Sequence, residues 1–329
     1  MKYTENALNL LTAKTFKNIG DAWIANNWDD QLSNQTLIEL LRKTAKEDVN
    51  EDIFLKVKEH IKEKFEKLGN SCDGVTALGD PDFPEYRGNV KPSDRPNVLF
   101  YKGNLDLLSK KNINIAVIGV LTPNEKIEQD ERKVVDLLSK ENAVIVSGLA
   151  LGCDRIAHHQ ALKSKSTTVA ILPTPLNNII PRDCIPLATY IGENGGLLLS
   201  EYYDEPKSHI ELSGRFIKRD RLQALFSDMV ILTASYTPDS IDPNTTKVDS
   251  GSRHAMAKAM EYGIKRGVIY NSYNDKDPKY DLNRQIISEK PSSIVIDPSK
   301  PEKTISDIFD SLKNIDKNVN KGEQCNLFK

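Results

Sequence analysis

From residue 113 onward the apolar positions fall in short, dense runs. They lie at 113–118, 143–147, 168–172, 197–199, 229–233, 267–270 and 293–296, rich in Val, Ile and Leu. Continuous runs of this length are the pattern of strands buried on both faces. Between them, apolar residues at helical spacing predict helices over 127–140, 154–164, 183–193, 217–226, 252–262 and 302–313. Strands and helices alternating in this way predict an α/β fold: an extended Rossmann-like, mostly parallel sheet with helices on both faces. Such sheets bind ligands at the carboxyl ends of their strands.

Ahead of the sheet the pattern is helical. DIFLKVKEHIKEKFEKLG puts Ile53, Phe54, Val57, Ile61, Phe65 and Leu68 on one stripe and ends at Gly69, a C-cap. Leu37, Ile38, Leu40 and Leu41 predict an earlier helix, and Trp23 and Trp28 flank an asparagine-rich turn. Residues 73–108 carry prolines, glycines and aromatics, which predict turns around one short strand at 98–101. The expected organisation is a small helical N-terminal domain at 1–72, a sheet domain at 73–314 and a polar tail at 315–329.

Composition narrows the function classes. The chain has 329 residues, 39% hydrophobic and 28% charged, which is the balance of a globular protein. A formal net charge of -2 means that any polyanion site must be a local patch. Cys72, Cys153, Cys184 and Cys325 form no CxxC pair and read as free thiols in a reducing compartment. No apolar run approaches transmembrane length, and the start MKYTENALNLL lacks the pattern of a secretory signal. The expectation is a cytoplasmic protein with no membrane partner.

Several chemistries are missing. The first sheet strand ends in IGVLTPNEK, with Gly119 alone where dinucleotide binding wants GxGxxG. There is no GxxxxGK[ST], GxSxG or HExxH. His158 and His159 are adjacent on a helix and diverge, so they do not share a metal; one is expected to pack and the other to face solvent. The expectation is no cofactor, no metal and no catalytic step.

What remains is anion binding at three segments. In IVSGLALGCDRIAHHQAL, Ser147, Gly148 and Gly152 lie where a strand becomes a helix. Glycine lets backbone N–H groups approach a phosphate, and the helix N-terminus adds a favourable dipole. The same glycines also suit a tight turn, and these residues alone leave the two readings equal. Asp154 competes with a phosphate for the same donors unless it turns inward to brace the loop. In GRFIKRDRLQALFSD, Arg215, Lys218, Arg219 and Arg221 cluster on a helix before a buried strand. In VDSGSRHAMAKAMEYG, Ser250, Gly251 and Ser252 open a helix, with Arg253, His254 and Lys258 on its early turns. Three such segments converge if the strands before them are parallel.

Together these segments resemble the DprA (Smf) family of bacterial DNA-processing proteins over residues 76–312. TALGDPDFPEYRG and RPNVLFYKGNLDLL resemble its entry segment, and IVSGLALGCDRIAHHQAL its SGxAxGID-x-x-AH-x-x-AL motif. FIKRDRLQALFSD is similar to FPxRNR, DSGSRHAMAKAMEYG to SGSLxTAxxAxxxG, and YDLNRQIISEKPSSIVID to the closing helix and strand. The resemblance implies a homodimeric single-stranded DNA binder, without catalysis, that protects DNA and helps load a RecA-type recombinase in transformation and competence. By motif position it implies contacts from Ser147, Gly148, Gly152, Arg219, Arg221, Ser250, Gly251 and Ser252. The departures are Gly119–Val120–Leu121 in place of GSR, Pro173 and Pro175 in a usually glycine-bearing loop, Ile217 and Asp220 within FPxRNR, Ala255 within SGSLxTA, and an insertion at 236–248 read as a lid or partner surface. They motivate an alternative in which the same pocket senses a nucleotide-derived signal, as in phage defence. A nucleotide N-glycosidase is disfavoured, because DSGSRHAMA supplies no glutamate where that chemistry would need one.

Overall fold

A computed structural model describes residues 1–246, 248–289 and 293–326, with side chains described as far as residue 314. Four helices lead: α1 (Glu5–Lys14), α2 (Asp21–Asn27), α3 (Asn34–Thr44) and α4 (Glu51–Leu68). α4 follows the predicted stripe. Asn50 accepts from the Ile53 N–H at its start, and Gly69 closes it at φ 52°. The turn expected between Trp23 and Trp28 is instead α2, which buries Ile24.

The strands are β1 (Gly74–Ala77), β2 (Val98–Gly103), β3 (Asn114–Ile118), β4 (Val144–Ser147), β5 (Thr168–Leu172), β6 (Leu197–Ser200), β7 (Met229–Leu232), β8 (Lys265–Ile269) and β9 (Ile294–Ile296). Among the described residues they form one sheet in the order β1-β2-β6-β5-β4-β3-β7-β8-β9. β2 is antiparallel to both β1 and β6, and the strands from β6 to β9 are parallel. β1 has no signal in the pattern: GVTA is too short to register, and pairing with β2 and a bridge to Lys2 make it a strand.

The later helices are α5 (Glu125–Lys140), α6 (Cys153–Lys163), α7 (Ile185–Glu193), α8 (His209–Leu225), α9 (Arg253–Tyr262), α10 (Asp281–Ser288) and α11 (Glu302–Asn326). α8 starts at His209 rather than at 217. Ser208 caps it by accepting from the Glu211 N–H, and the Glu211–Arg215 pair braces its first turns. The backbone of α11 stays helical to Asn326, within the stretch read as a polar tail. None of these helices, over the described residues, is long and apolar enough to cross a membrane.

Alternate residues of each strand serve opposite faces. Ile115, Val117 and Ile145 pack with α5, α6 and α11, whereas Ala116, Ile118 and Val146 pack with α8 and α9. At the β1–β2 end, Val75, Ala77, Val98 and Phe100 share a continuous core with Leu8, Leu10, Phe54 and Phe65 of the leading helices. The topology also sets the site. From β3 the chain proceeds outward through β4, β5 and β6, then returns to lay β7 on the other side of β3. The loops after β3 and β7 therefore part at the carboxyl edge and open a crevice.

Candidate nucleic-acid interface

The floor of this crevice begins at the end of β4. Ser147 is fully buried, and its Oγ donates to the Val117 carbonyl at 2.7 Å, tying β4 to β3. A Cβ on Gly148 would fall 1.2 Å from Nη1 of Arg219, so only glycine lets that guanidinium lie against the loop. Gly152 takes φ +71°, and a Cβ there would meet the Val120 carbonyl at 2.3 Å. The glycines thus serve packing between loops. Asp154 turns inward, accepting from the Gly148 N–H at 3.1 Å and the Ala150 N–H at 3.4 Å. The Gly148 amide read as a phosphate donor is spent on a carboxylate.

The basic segment on α8 is likewise paired internally. Arg215 holds Glu211 at 2.6 Å and Asp204 at 3.3 Å and lies over the Tyr202 ring. Lys218 reaches Asp21 of α2 at 2.6 Å. Arg221 grips Glu201, just past β6, through bonds of 2.7 and 2.6 Å, and its Nε donates to the Asp94 carbonyl. Burial alone would raise the Glu201 pKa, but the Arg221 charge and hydrogen bonds overturn that and leave the carboxyl below its ordinary value. These three cations face the segments after β6, α2 and residue 94, away from the crevice. Sequence spacing shows the cations but not the carboxylates that fold brings to them.

Arg219 points the other way. It is buried, donates to the Ile171 carbonyl at 3.2 Å, and lies 3.2 Å from Asp220 and 3.9 Å from Asp154. Burial pushes the Asp220 carboxyl up to about 7; Arg219 opposes this, and Asp154 and Asp249 add to it.

The third segment closes the crevice from the β7 side. The Ser252 Oγ donates to the Gly119 carbonyl at 3.1 Å. Asp249 accepts from the Leu121 N–H at 2.8 Å and the Gly251 N–H at 3.3 Å, bridging the β3 loop to the start of α9. Arg253 donates back to the Ser250 carbonyl at 2.9 Å and to the Ser250 hydroxyl. Gly148, Gly152, Arg219, Ser250, Gly251, Ser252 and Arg253 are therefore brought together at the carboxyl ends of β3, β4 and β7, with Asp154, Asp220 and Asp249.

The histidines divide as expected. His158 is fully buried. Its Nδ1 lies 2.7 Å from the Thr168 hydroxyl, which itself donates to the Ile145 carbonyl, so Nδ1 is the donor. Burial drives its pKa down to about 3, and His159 is exposed. Among the described residues no group of three His, Cys, Asp or Glu could hold a metal ion.

Sequence reasoning passed over two cations at this edge, Arg155 and Arg182. Arg155 stands in the first turn of α6, half-buried, and its charge reaches Cys184 in the turn that also carries the exposed Arg182. Neither has a hydrogen-bonded or ion-paired partner among the described residues. The signal available was position alone: both lie just beyond the carboxyl ends of adjacent strands.

Residues 74–298, the whole sheet from β1 to β9, match the family model of DNA recombination-mediator protein A. The chain belongs to the DprA/Smf family. It is 37% identical over 170 residues to the DNA processing protein DprA of Streptococcus pneumoniae, covering 52% of this chain and 54% of that protein. It is 30% identical over 166 residues to the protein Smf of Borreliella burgdorferi, covering 50% and 49%. The chain thus spans about half the length of these curated DprA/Smf relatives. Among solved structures, S. pneumoniae DprA superposes with a TM-score of 0.66 at 26% identity, over 90% of this chain and 95% of that one. DprA of Helicobacter pylori, whose structure concerns its single-stranded DNA binding mode, gives 0.56 at 26% identity, over 72% and 96%. The likeness to S. pneumoniae DprA takes in most of the chain.

Proposed function

We propose that this protein binds single-stranded DNA along the carboxyl edge of its sheet and acts, without catalysis, as a recombination mediator. It holds and protects the strand and passes it to a RecA-type recombinase, working as a homodimer in the cytoplasm. The observation that carries this reading is the likeness to H. pylori DprA, a protein with a described single-stranded DNA binding mode, across 72% of this chain. The site geometry is consistent with it. Arg155 and Arg182 lie on the same edge as Arg253, and unpaired guanidinium groups hold phosphates with little regard for sequence.

Fluorescence anisotropy with a labelled 20-nucleotide strand tests the reading. The full chain binds saturably, with affinity falling steeply as salt rises. Arg155→Ala with Arg182→Ala weakens binding about tenfold or more and lowers the salt slope by about 2. Absence of saturable, salt-sensitive binding sinks the proposal. Recombinase loading is read separately, as faster filament assembly on strands coated with a single-strand binding protein.

A second reading is a sensor of a nucleotide-derived signal, motivated by Val120, Leu121, Pro173 and Pro175, where the loops depart from the family's pattern. Under it a mononucleotide or cyclic nucleotide raises the melting temperature and the oligonucleotide does not.

A further inference from the structure

α6 leaves the end of β4 and returns the chain to the start of β5, so it runs from the carboxyl edge of the sheet to the amino edge. Its inner face is spent on packing: Ala157 and Ala161 are fully buried in the core shared with α5. Its outer face carries Arg155, His159 and Lys163, four positions apart, and Lys165 follows just beyond the last turn. Arg155 is half-buried and the other three are exposed. Residues four apart lie on one side of a helix, about 6 Å apart along its axis. Successive phosphates of an extended single strand repeat at a comparable distance. Arg155, Lys163 and Lys165 have no ion-paired carboxylate among the described residues. On the neighbouring α5, Glu128 is held by Arg132 and Asp136 by Lys140, each at 2.7 Å. Partial burial and the charges of Arg155 and Arg132 lower the His159 pKa, so its ring is neutral near neutral pH and still offers one N–H.

We propose that a strand held at the carboxyl edge continues down the outer face of α6, with successive phosphates on Arg155, His159, Lys163 and Lys165. The inference rests on the reading that the chain binds single-stranded DNA. It adds a second stretch of contact, on a helix surface away from the strand ends, and lengthens the bound segment by about three nucleotides. The added contacts go to phosphate and read no sequence. Those from the two lysines release counterions, so they appear as a steeper salt dependence that only a long strand shows.

The experiment compares labelled dT6 and dT20 by anisotropy with the full chain over a salt series. dT6 covers the carboxyl edge, and dT20 reaches along α6 as well. Lys163→Ala with Lys165→Ala weakens dT20 about three- to tenfold at low salt and lowers its salt slope by about 1.4, the figure for two phosphates of a single strand. The same variant leaves dT6 within about 1.5-fold. Lys56→Ala with Lys67→Ala, an equal charge change on the exposed face of α4, moves neither slope. A dT20 carrying 4-thiothymidine cross-links to the 159–165 segment of the wild-type chain, and this arm needs no variant. Lysines in the last turn of a helix also offset its dipole, and a role confined to that lowers the melting temperature while both strands bind as before. That result overturns this inference and leaves the proposed function standing. So do equal losses for dT6 and dT20, or absence of the 159–165 cross-link. Failure of the wild-type chain to bind dT20 saturably overturns both.

Discussion

Arg219 and Arg221 are two positions apart on α8 and have different tasks. Arg219 is the guanidinium under the crevice, and Arg221 is a structural cation whose charge is used up by Glu201. Both partners of the Arg221–Glu201 pair are buried, so removing one leaves the other as an uncompensated charge. Arg221→Ala therefore destabilises the protein by about 3–5 kcal/mol at pH 7 to 8 in urea unfolding. Single-strand affinity per folded molecule stays within about twofold. The pH dependence follows from Glu201, held below its unfolded value. Its contribution is present above the unfolded carboxylate range and is lost as pH falls through the lowered folded value, so the gap between wild type and variant narrows in acid. A tenfold loss of DNA affinity with unchanged stability would reverse the assignment of roles.

At the scale of elements, the β4–α6 junction is where motif and packing coincide. Its two glycines are legible in the sequence as a strand-to-helix turn. That they make room for a guanidinium from α8 and for the β3 loop is not, since those neighbours are distant along the chain. Gly148→Ala drives its Cβ into Arg219 and costs about 1–3 kcal/mol in urea unfolding, because the guanidinium must leave its seat. The variant also loses single-strand affinity, since Arg219 lies among the segments proposed to hold the strand. Unchanged stability would mean that the loop relaxes without moving Arg219. α8 itself is only partly legible: the apolar spacing marks its second half, whereas its first turns are held by Ser208 and the Glu211–Arg215 pair.

At the scale of the molecule, the leading helices and the sheet share a core. Phe65 of α4 packs edge-on against Phe100 of β2 at 5.6 Å, and Lys2 forms a bridge with Gly74. Phe65→Ala costs about 3–5 kcal/mol of global stability, as expected for a buried aromatic. A chain starting at residue 73 exposes the β1–β2 face and Phe100. Strong binding of a hydrophobic dye by that truncation, with a lower melting temperature, is the expected result; a truncation as stable as the full chain would make residues 1–72 an independent unit.

Local order was written into the sequence: buried strands alternating with helices, the stripe of α4, the order of the three motif segments. These follow from hydrophobic periodicity and from backbone preferences that act over a few residues. The tertiary structure decided what the charged groups do. Arg215, Lys218 and Arg221 read as a basic patch, yet Asp204, Asp21 and Glu201 come to them from other elements and neutralise them. Asp220, notable in the chain only as a departure from FPxRNR, and Asp249 come within reach of each other's charge only in the folded sheet. Charge pairing depends on distances of a few ångströms between residues far apart in sequence, and only the folded chain sets those distances.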